Sequence, residues 1–215
     1  MGKRIITAIV SGALFAGLIY LLKNYDVAAI GPNNTSVGCS SINKMVHDLT
    51  GVNMLWYDIT DWLGVAAILT AFVFTIVGLV QLIKRKSLLK VDGELLWLGG
   101  LYLLVIGIYI LFENVIINYR PIIMPGCTNP EASFPSSHTM IVCVIMGSAI
   151  MLIGRYIKKK PLCSGLQIIC TAIIAVTVVG RLISGVHWFT DIMGGILISS
   201  ALLALYSGIT QKTDK

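Results

Sequence analysis

The sequence has 215 residues, of which 56% are apolar and only 12% charged, with a mean hydropathy of +0.87. Average soluble domains carry about 25% charged residues, so this composition excludes an ordinary cytosolic globule and a disordered chain and leaves a membrane-embedded protein. The net charge of +6, from 16 Lys and Arg against 10 Asp and Glu, would suit nucleic acid in a soluble protein. Here membrane topology accounts for it, and no nucleic-acid partner is expected.

A spanning helix needs about 20 predominantly apolar residues. Six runs qualify, at 5–22, 63–83, 95–112, about 138–154, about 162–180 and 192–209. The expected fold is therefore all-α, a six-span bundle forming one integral membrane domain over residues 1–215. Twelve of the 16 basic residues fall at every second boundary. They are Lys3 and Arg4; Lys84, Arg85, Lys86 and Lys90; Arg155, Lys158, Lys159 and Lys160; and Lys212 and Lys215. Cytoplasmic loops are enriched in Lys and Arg, so both termini are expected in the cytoplasm, with a plasma membrane location and the long loops outside. Asp26, Asp48, Asp58, Asp61, Glu113, Glu131 and Asp191 fall on that outer side. The first span reads as a retained anchor, because its length exceeds the about 7 to 15 residues of a leader's apolar region.

The loop from about 23 to 62 opens on the turn signal Gly31-Pro32-Asn33-Asn34. Behind Ser40 and Ser41, either of which would cap a helix, Ile42, Met45, Val46 and Leu49 recur at helical spacing. This predicts a short amphipathic helix at the outer interface, read as a cover in preference to a substrate gate. Trp56, Tyr57 and Trp62 fit an interfacial aromatic belt before the second span. Cys143, Cys163 and Cys170 read as packing residues, while Cys39 and Cys127 share the outer side, where a bond forms only in an oxidising compartment.

Three segments reach the outer face together: Arg120-Pro121 after the third span, Pro135-Ser136-Ser137-His138 at the start of the fourth, and Arg181 to Asp191 between the fifth and sixth. Ser136 stands at an N-cap position, so the N–H groups of Ser137 and His138 point outward and favour an anion. Arg120 and Arg181 add planar donor forks that match phosphoryl oxygens. His187 and Asp191 are spaced i, i+4, which places them on one face if the sixth helix starts that early. A carboxylate on one ring nitrogen fixes the tautomer and frees the other as nucleophile or base, with His138 on another helix as general acid. Each residue alone has a plainer role in capping or at the interface; ionisable groups that converge at a membrane border point to function.

With these residues in place, the sequence resembles the type 2 phosphatidic acid phosphatase superfamily, which includes vanadium haloperoxidases and glucose 6-phosphatase. The family signature Lys-x6-Arg-Pro, Pro-Ser-Gly-His and Ser-Arg-x5-His-x3-Asp appears here as Glu113-x6-Arg120-Pro121, Pro135-Ser136-Ser137-His138 and Gly180-Arg181-x5-His187-x3-Asp191, over 113–191. The resemblance implies a metal-independent phosphatase without a cofactor, acting on a lipid monophosphate or diphosphate such as undecaprenyl diphosphate, phosphatidylglycerol phosphate or phosphatidic acid. It implies that His187 attacks phosphorus to form a phosphohistidine, that Asp191 orients it, and that His138 protonates the leaving oxygen. Arg120, Arg181, Ser136 and Ser137 would hold the phosphoryl oxygens. Transfer to another lipid is a close variant, and the family's haloperoxidase chemistry is the poorer fit to a site beside lipid. Three positions depart from the signature: Ser137 for Gly, Gly180 for Ser and Glu113 for Lys. Glu113 places a potential anion near a dianionic substrate, so it must be protonated, turned away or paired with a cation. It is also the one feature that favours a weakened lipid-phosphate binder or transport component over an enzyme.

Overall fold

The computed structural model describes residues 2–213. Seven helices account for most of them: α1 (Gly2–Asn24), α2 (Ser40–Thr50), α3 (Met54–Arg85), α4 (Gly93–Asn114), α5 (Ser137–Tyr156), α6 (Lys160–Ile183) and α7 (Phe189–Thr213). All except α2 are long and apolar enough to cross a membrane, and each contains one of the six predicted runs. Of the basic residues that orient the bundle, Lys215 lies outside the described residues.

Helix α5 is the centre of the bundle: 67% of its apolar window is buried, against 11% for α1 and for α6. Its Met140, Val142, Val144, Met146, Ala149 and Leu152 pack into a core shared with α3, α4 and α7. The outer faces of the surrounding helices remain apolar, with Ile9, Leu69, Phe72, Leu103 and Ile168 all more than half exposed. That pattern suits a hydrocarbon solvent, in which each helix satisfies its own backbone and need not hide its side chains.

Helix α3 begins nine residues before the predicted run. Asn53 caps it, its side-chain oxygen accepting from the backbone N–H groups of Leu55 at 3.1 Å and Trp56 at 3.3 Å. The extra turns correct the expected aromatic belt. Trp62 is 73% exposed and fits it. Trp56 and Tyr57 instead turn inward onto α6, where Trp56 packs over Gly180 and Tyr57 lies beside Arg181.

The short amphipathic helix forms as α2, but neither Ser40 nor Ser41 is its cap. Asp26, just beyond α1, takes that role from outside, accepting from Ser41 N at 2.7 Å and Ser40 Oγ at 2.9 Å. These bonds, the one from the Ser41 backbone first, hold the Asp26 carboxyl below its usual range. Ile42, Met45 and Leu49 face outward as expected, while buried Asn43 pins α2 to the start of α7 through Thr190. Cys39 and Cys127 are free thiols: Cys39 precedes α2, and Cys127 Sγ donates to Glu131 Oε1 at 3.1 Å.

Candidate active site

Four chain segments meet at one end of the bundle, opposite the basic clusters. The segment after α4 is fixed by an antiparallel bridge between Tyr119 and Ala132, and Arg120 N donates to Glu131 O at 2.9 Å. Glu131 also takes the Arg120 side chain, with Nε 3.1 Å from Oε2. From the α6–α7 turn, the Trp188 indole donates to Tyr119 O at 2.8 Å and holds this segment against the third motif.

At the start of α5, Ser136 is the N-cap, as its position predicted. Its hydroxyl oxygen accepts from Thr139 N at 3.4 Å and pairs with Thr139 Oγ1 at 3.0 Å, so the fully buried side chain is occupied by the cap. Its backbone N–H donates to Asp191 O at 3.0 Å, which ties the second motif to the third. Ser137 follows at the first helical position and lines a pocket together with Glu113, Arg120, Ser133 and His187.

His187 sits on the turn between α6 and α7, since α7 starts only at Phe189. Gly185, at φ +68°, lets the chain reverse there. The pair with Asp191 forms by this turn instead of by one continuous helix. Nδ1 of His187 lies 3.6 Å from Asp191 Oδ2, an ion-pair distance longer than a hydrogen bond, and the Ser133 backbone also contacts the ring. Asp191 Oδ2 accepts from Trp188 N at 2.8 Å, and the Asn118 and Ser133 side chains neighbour the carboxylate. The other ring nitrogen, Nε2, is buried without a protein partner. Burial first, then the charges of Arg120, Arg181 and His138, holds the His187 imidazole well below its usual range. A neutral ring with a free nitrogen is the form a nucleophile requires.

Arg181 is fully buried at the end of α6, with its guanidinium carbon 4.7 Å from the centre of the Tyr57 ring. Its Nη2 donates to Asp61 Oδ1, while Nε and Nη1 have no partner. His138 Nε2 lies 3.0 Å from the same Asp61 oxygen. Glu113, the departure from the signature, is exposed at the rim, and Tyr109 one turn earlier hydrogen-bonds its carboxylate. Arg120 takes Glu131 as its ion-pair partner, while Glu113 lines the same pocket from its exposed rim.

The structure thus brings together Arg120, Ser137, His138, Arg181, His187 and Asp191, and leaves the Ser136 hydroxyl as a cap. Sequence reasoning missed Asp61, Glu131 and Tyr57 as members. Asp61 and Glu131 read as acids of the outer side, and Tyr57 as a belt residue. The spacing of Tyr57 and Asp61, i and i+4 at the border of a span, was the available signal.

A family model described as the PAP2 superfamily matches residues 94–215. The chain is 33% identical to phosphatidylglycerophosphatase B of Bacillus subtilis (strain 168) over 128 residues, which cover 55% of this chain and 61% of that protein. Its fold is similar to the crystal structure of a transmembrane PAP2 type phosphatidylglycerolphosphate phosphatase from Bacillus subtilis, with a TM-score of 0.66 and 19% identity over 96% of each chain. From the matched family model, over the part of the chain that holds all three motifs, the protein belongs to the PAP2 superfamily.

Proposed function

We propose that the protein is a metal-independent phosphatase that removes the terminal phosphate from a membrane lipid monophosphate or diphosphate at the outer face of the plasma membrane. One observation carries this reading. Arg120 Nη1, Arg181 Nε and Nη1, and His187 Nε2 are all buried and without protein partners. Burying donors unpaired is costly, and a phosphoryl group supplies oxygens for the guanidiniums together with an electrophile for the imidazole. The N–H groups at the start of α5 add an anion site beside them.

In this reaction Nε2 of neutral His187 attacks phosphorus, the bond from phosphorus to the leaving oxygen breaks, and His138 gives that oxygen its proton. Water then attacks the phosphohistidine, the P–N bond breaks, and the water proton returns to His138 as phosphate leaves. Asp191 steadies the charge that develops on the His187 ring. Arg120 and Arg181 bind the phosphoryl oxygens as charge is redistributed over them.

Two further features support a lipid substrate on the outer side. An apolar groove of about 300 Å³ between α3, α4 and α5 is lined by Ile68, Tyr102, Val105, Tyr109 and Ile145. It shares Tyr109 with the pocket that holds His187, so a hydrocarbon chain in the groove leads up to the phosphate site. Positive-inside topology supports an outer location for the site end, because the Lys and Arg clusters occupy the opposite end. The name of the Bacillus relative makes phosphatidylglycerol phosphate the first lipid to try.

The test is phosphate release in mixed micelles from phosphatidylglycerol phosphate, phosphatidic acid and undecaprenyl diphosphate. Release that persists in EDTA, is inhibited by vanadate and disappears in His187→Ala is the expected result. Strict dependence on added Mg2+ overturns the mechanism. A silent wild type beside an active Glu113→Lys overturns the enzyme reading in favour of a lipid-phosphate binder.

A further inference from the structure

The four groups assigned to the chemistry share one pattern. Each has a nitrogen beside a carboxylate and at least one other that is buried without a partner. Glu131 holds Nε of Arg120 and leaves Nη1; Asp191 neighbours Nδ1 of His187 and leaves Nε2. Asp61 differs by serving two groups at once. Its Oδ1 accepts from Arg181 Nη2 and lies 3.0 Å from His138 Nε2, leaving Arg181 Nε and Nη1 and His138 Nδ1.

The surroundings are built for this contact. A side chain at Gly180, next to Arg181, would bring its Cβ to 2.5 Å from Thr60 and 3.1 Å from Trp56. The glycine therefore permits α3 to approach α6 closely enough for Asp61 to reach the guanidinium. At Gly64 an added Cβ would lie 3.2 Å from His138 Cδ2, so the next turn of α3 leaves space for that ring. Tyr57, one turn before Asp61, places its ring against the same guanidinium. Three successive turns of α3 thus fit Arg181 and His138, and the departure from the signature at position 180 is what lets them fit.

We propose that Asp61 is a positioning residue of the reaction, coupling the guanidinium of Arg181 to the imidazole of His138 so that the acid and the oxyanion donor face the phosphoryl group in fixed register. The role rests on the phosphatase reading above. Asp61 bonds Nε2 of His138, and Nδ1 exchanges the proton: it donates to the leaving oxygen as the P–O bond breaks and accepts a proton from the attacking water afterwards. A carboxylate on one imidazole nitrogen fixing the function of the other is the usual arrangement for a histidine in acid–base work.

The test uses the dependence on the leaving group, because an activated aryl oxide departs without a proton whereas an alkoxide requires one. Purified full-length protein is assayed on short-chain phosphatidic acid and on p-nitrophenyl phosphate, as wild type, Asp61→Asn, Asp61→Glu, His138→Ala and the Asp61→Asn/His138→Ala double variant. For Asp61→Asn, the first-turnover rate of alcohol or nitrophenol release, which precedes the water step common to both esters, is expected to fall by about 10- to 100-fold on the alkyl ester and by less than about threefold on the aryl ester, with KM values within about threefold. Asp61→Glu recovers part of the loss, and Asp61→Asn adds nothing further to His138→Ala, as expected of residues that act as a unit. Vanadate inhibition of Asp61→Asn within about threefold of wild type shows that the cradle remains folded. Equal losses in first-turnover release on both esters overturn the proposal in favour of a purely structural contact. A higher kcat/KM with tighter vanadate inhibition overturns it in favour of a carboxylate that competes with substrate. A wild type that hydrolyses neither ester removes the phosphatase reading and this role with it, whereas an active wild type with an indifferent Asp61 removes this role alone.

Discussion

The two ends of the bundle both carry arginine–carboxylate chemistry, yet they are built on opposite principles. At the basic end, Arg155 Nη1 lies 2.5 Å from Glu94 Oε1, and Tyr206 donates to Glu94 O at 3.1 Å. Asp92 accepts from Gln81 at 2.7 Å, Arg85 at 2.8 Å and Tyr156 at 3.1 Å. No buried side-chain atom of Gln81, Asp92, Glu94, Tyr156 or Tyr206 lacks a partner. At the other end, Arg120, Arg181, His138 and His187 each keep a buried nitrogen unpaired. A network that closes on itself holds helices together, whereas one that leaves donors over is arranged around a group it does not contain.

The largest effect that would break this contrast is at His187, the proposed nucleophile. His187→Ala should lower phosphate release by at least about 10³-fold while the protein remains folded, measured by single-turnover release alongside thermal unfolding in micelles. Next is Arg181→Lys, which keeps the charge but loses the planar fork. A fall in kcat/KM of about 10²-fold is expected, and an unimpaired variant would show that charge alone suffices.

The basic end should respond in the opposite sense. Glu94→Gln is expected to cost about 1–2 kcal/mol of stability, a modest value because the Arg155 side chain is 38% exposed, and to leave kcat within about twofold. A catalytic loss without a change in Tm would erase the distinction between the two networks.

The smallest effect is a pH dependence of stability. The His187 imidazole titrates well below 6.5 in the folded protein, through burial and then the nearby cations. Above pH 6.5 the ring is neutral in both folded and unfolded chains, so it contributes no pH dependence. As pH falls below 6.5 the unfolded chain takes up a proton that the folded protein refuses, so the contribution of this ring to stability declines on acidification. Unfolding of wild type and His187→Asn at pH 7.5 and 5.5 checks this. The variant should lose less stability on acidification.

Sequence pattern alone located all six spans, because uninterrupted apolar runs of the required length have few alternatives. It singled out Arg120, His138, Arg181, His187 and Asp191, which the structure brings together, for a different reason: each stands at the border of a span, where an ionisable group is costly. It underestimated α3, since the polar and aromatic stretch 54–62 reads as an interface and only Asn53, as a cap, extends the helix through it. Asp26 was hidden in the same way: Ser40 and Ser41 are ordinary local capping residues, whereas the carboxylate that displaces them arrives from the end of another helix. Partnerships of this kind, Asp61 with Arg181 above all, depend on the distance between two helices, and that distance is set at Gly180 by the absence of a side chain.

The length of α3 has a consequence for where the proposed reaction would take place. Its 32 residues measure ~48 Å along the axis, and Asp61 stands ~36 Å from Arg85, a little more than the ~30 Å of hydrocarbon in a typical bilayer. With Arg85 anchored among the headgroups of one leaflet, Asp61 reaches the depth of the lipid phosphates in the other. On the proposed function, the helix then acts as a ruler that brings the proposed reacting groups to the level where a phospholipid already carries its phosphorus, so the lipid need not be lifted out of its leaflet. Thickening the bilayer would draw that level away from Asp61 and thinning it would raise the site into water, so membrane thickness itself becomes a determinant of access.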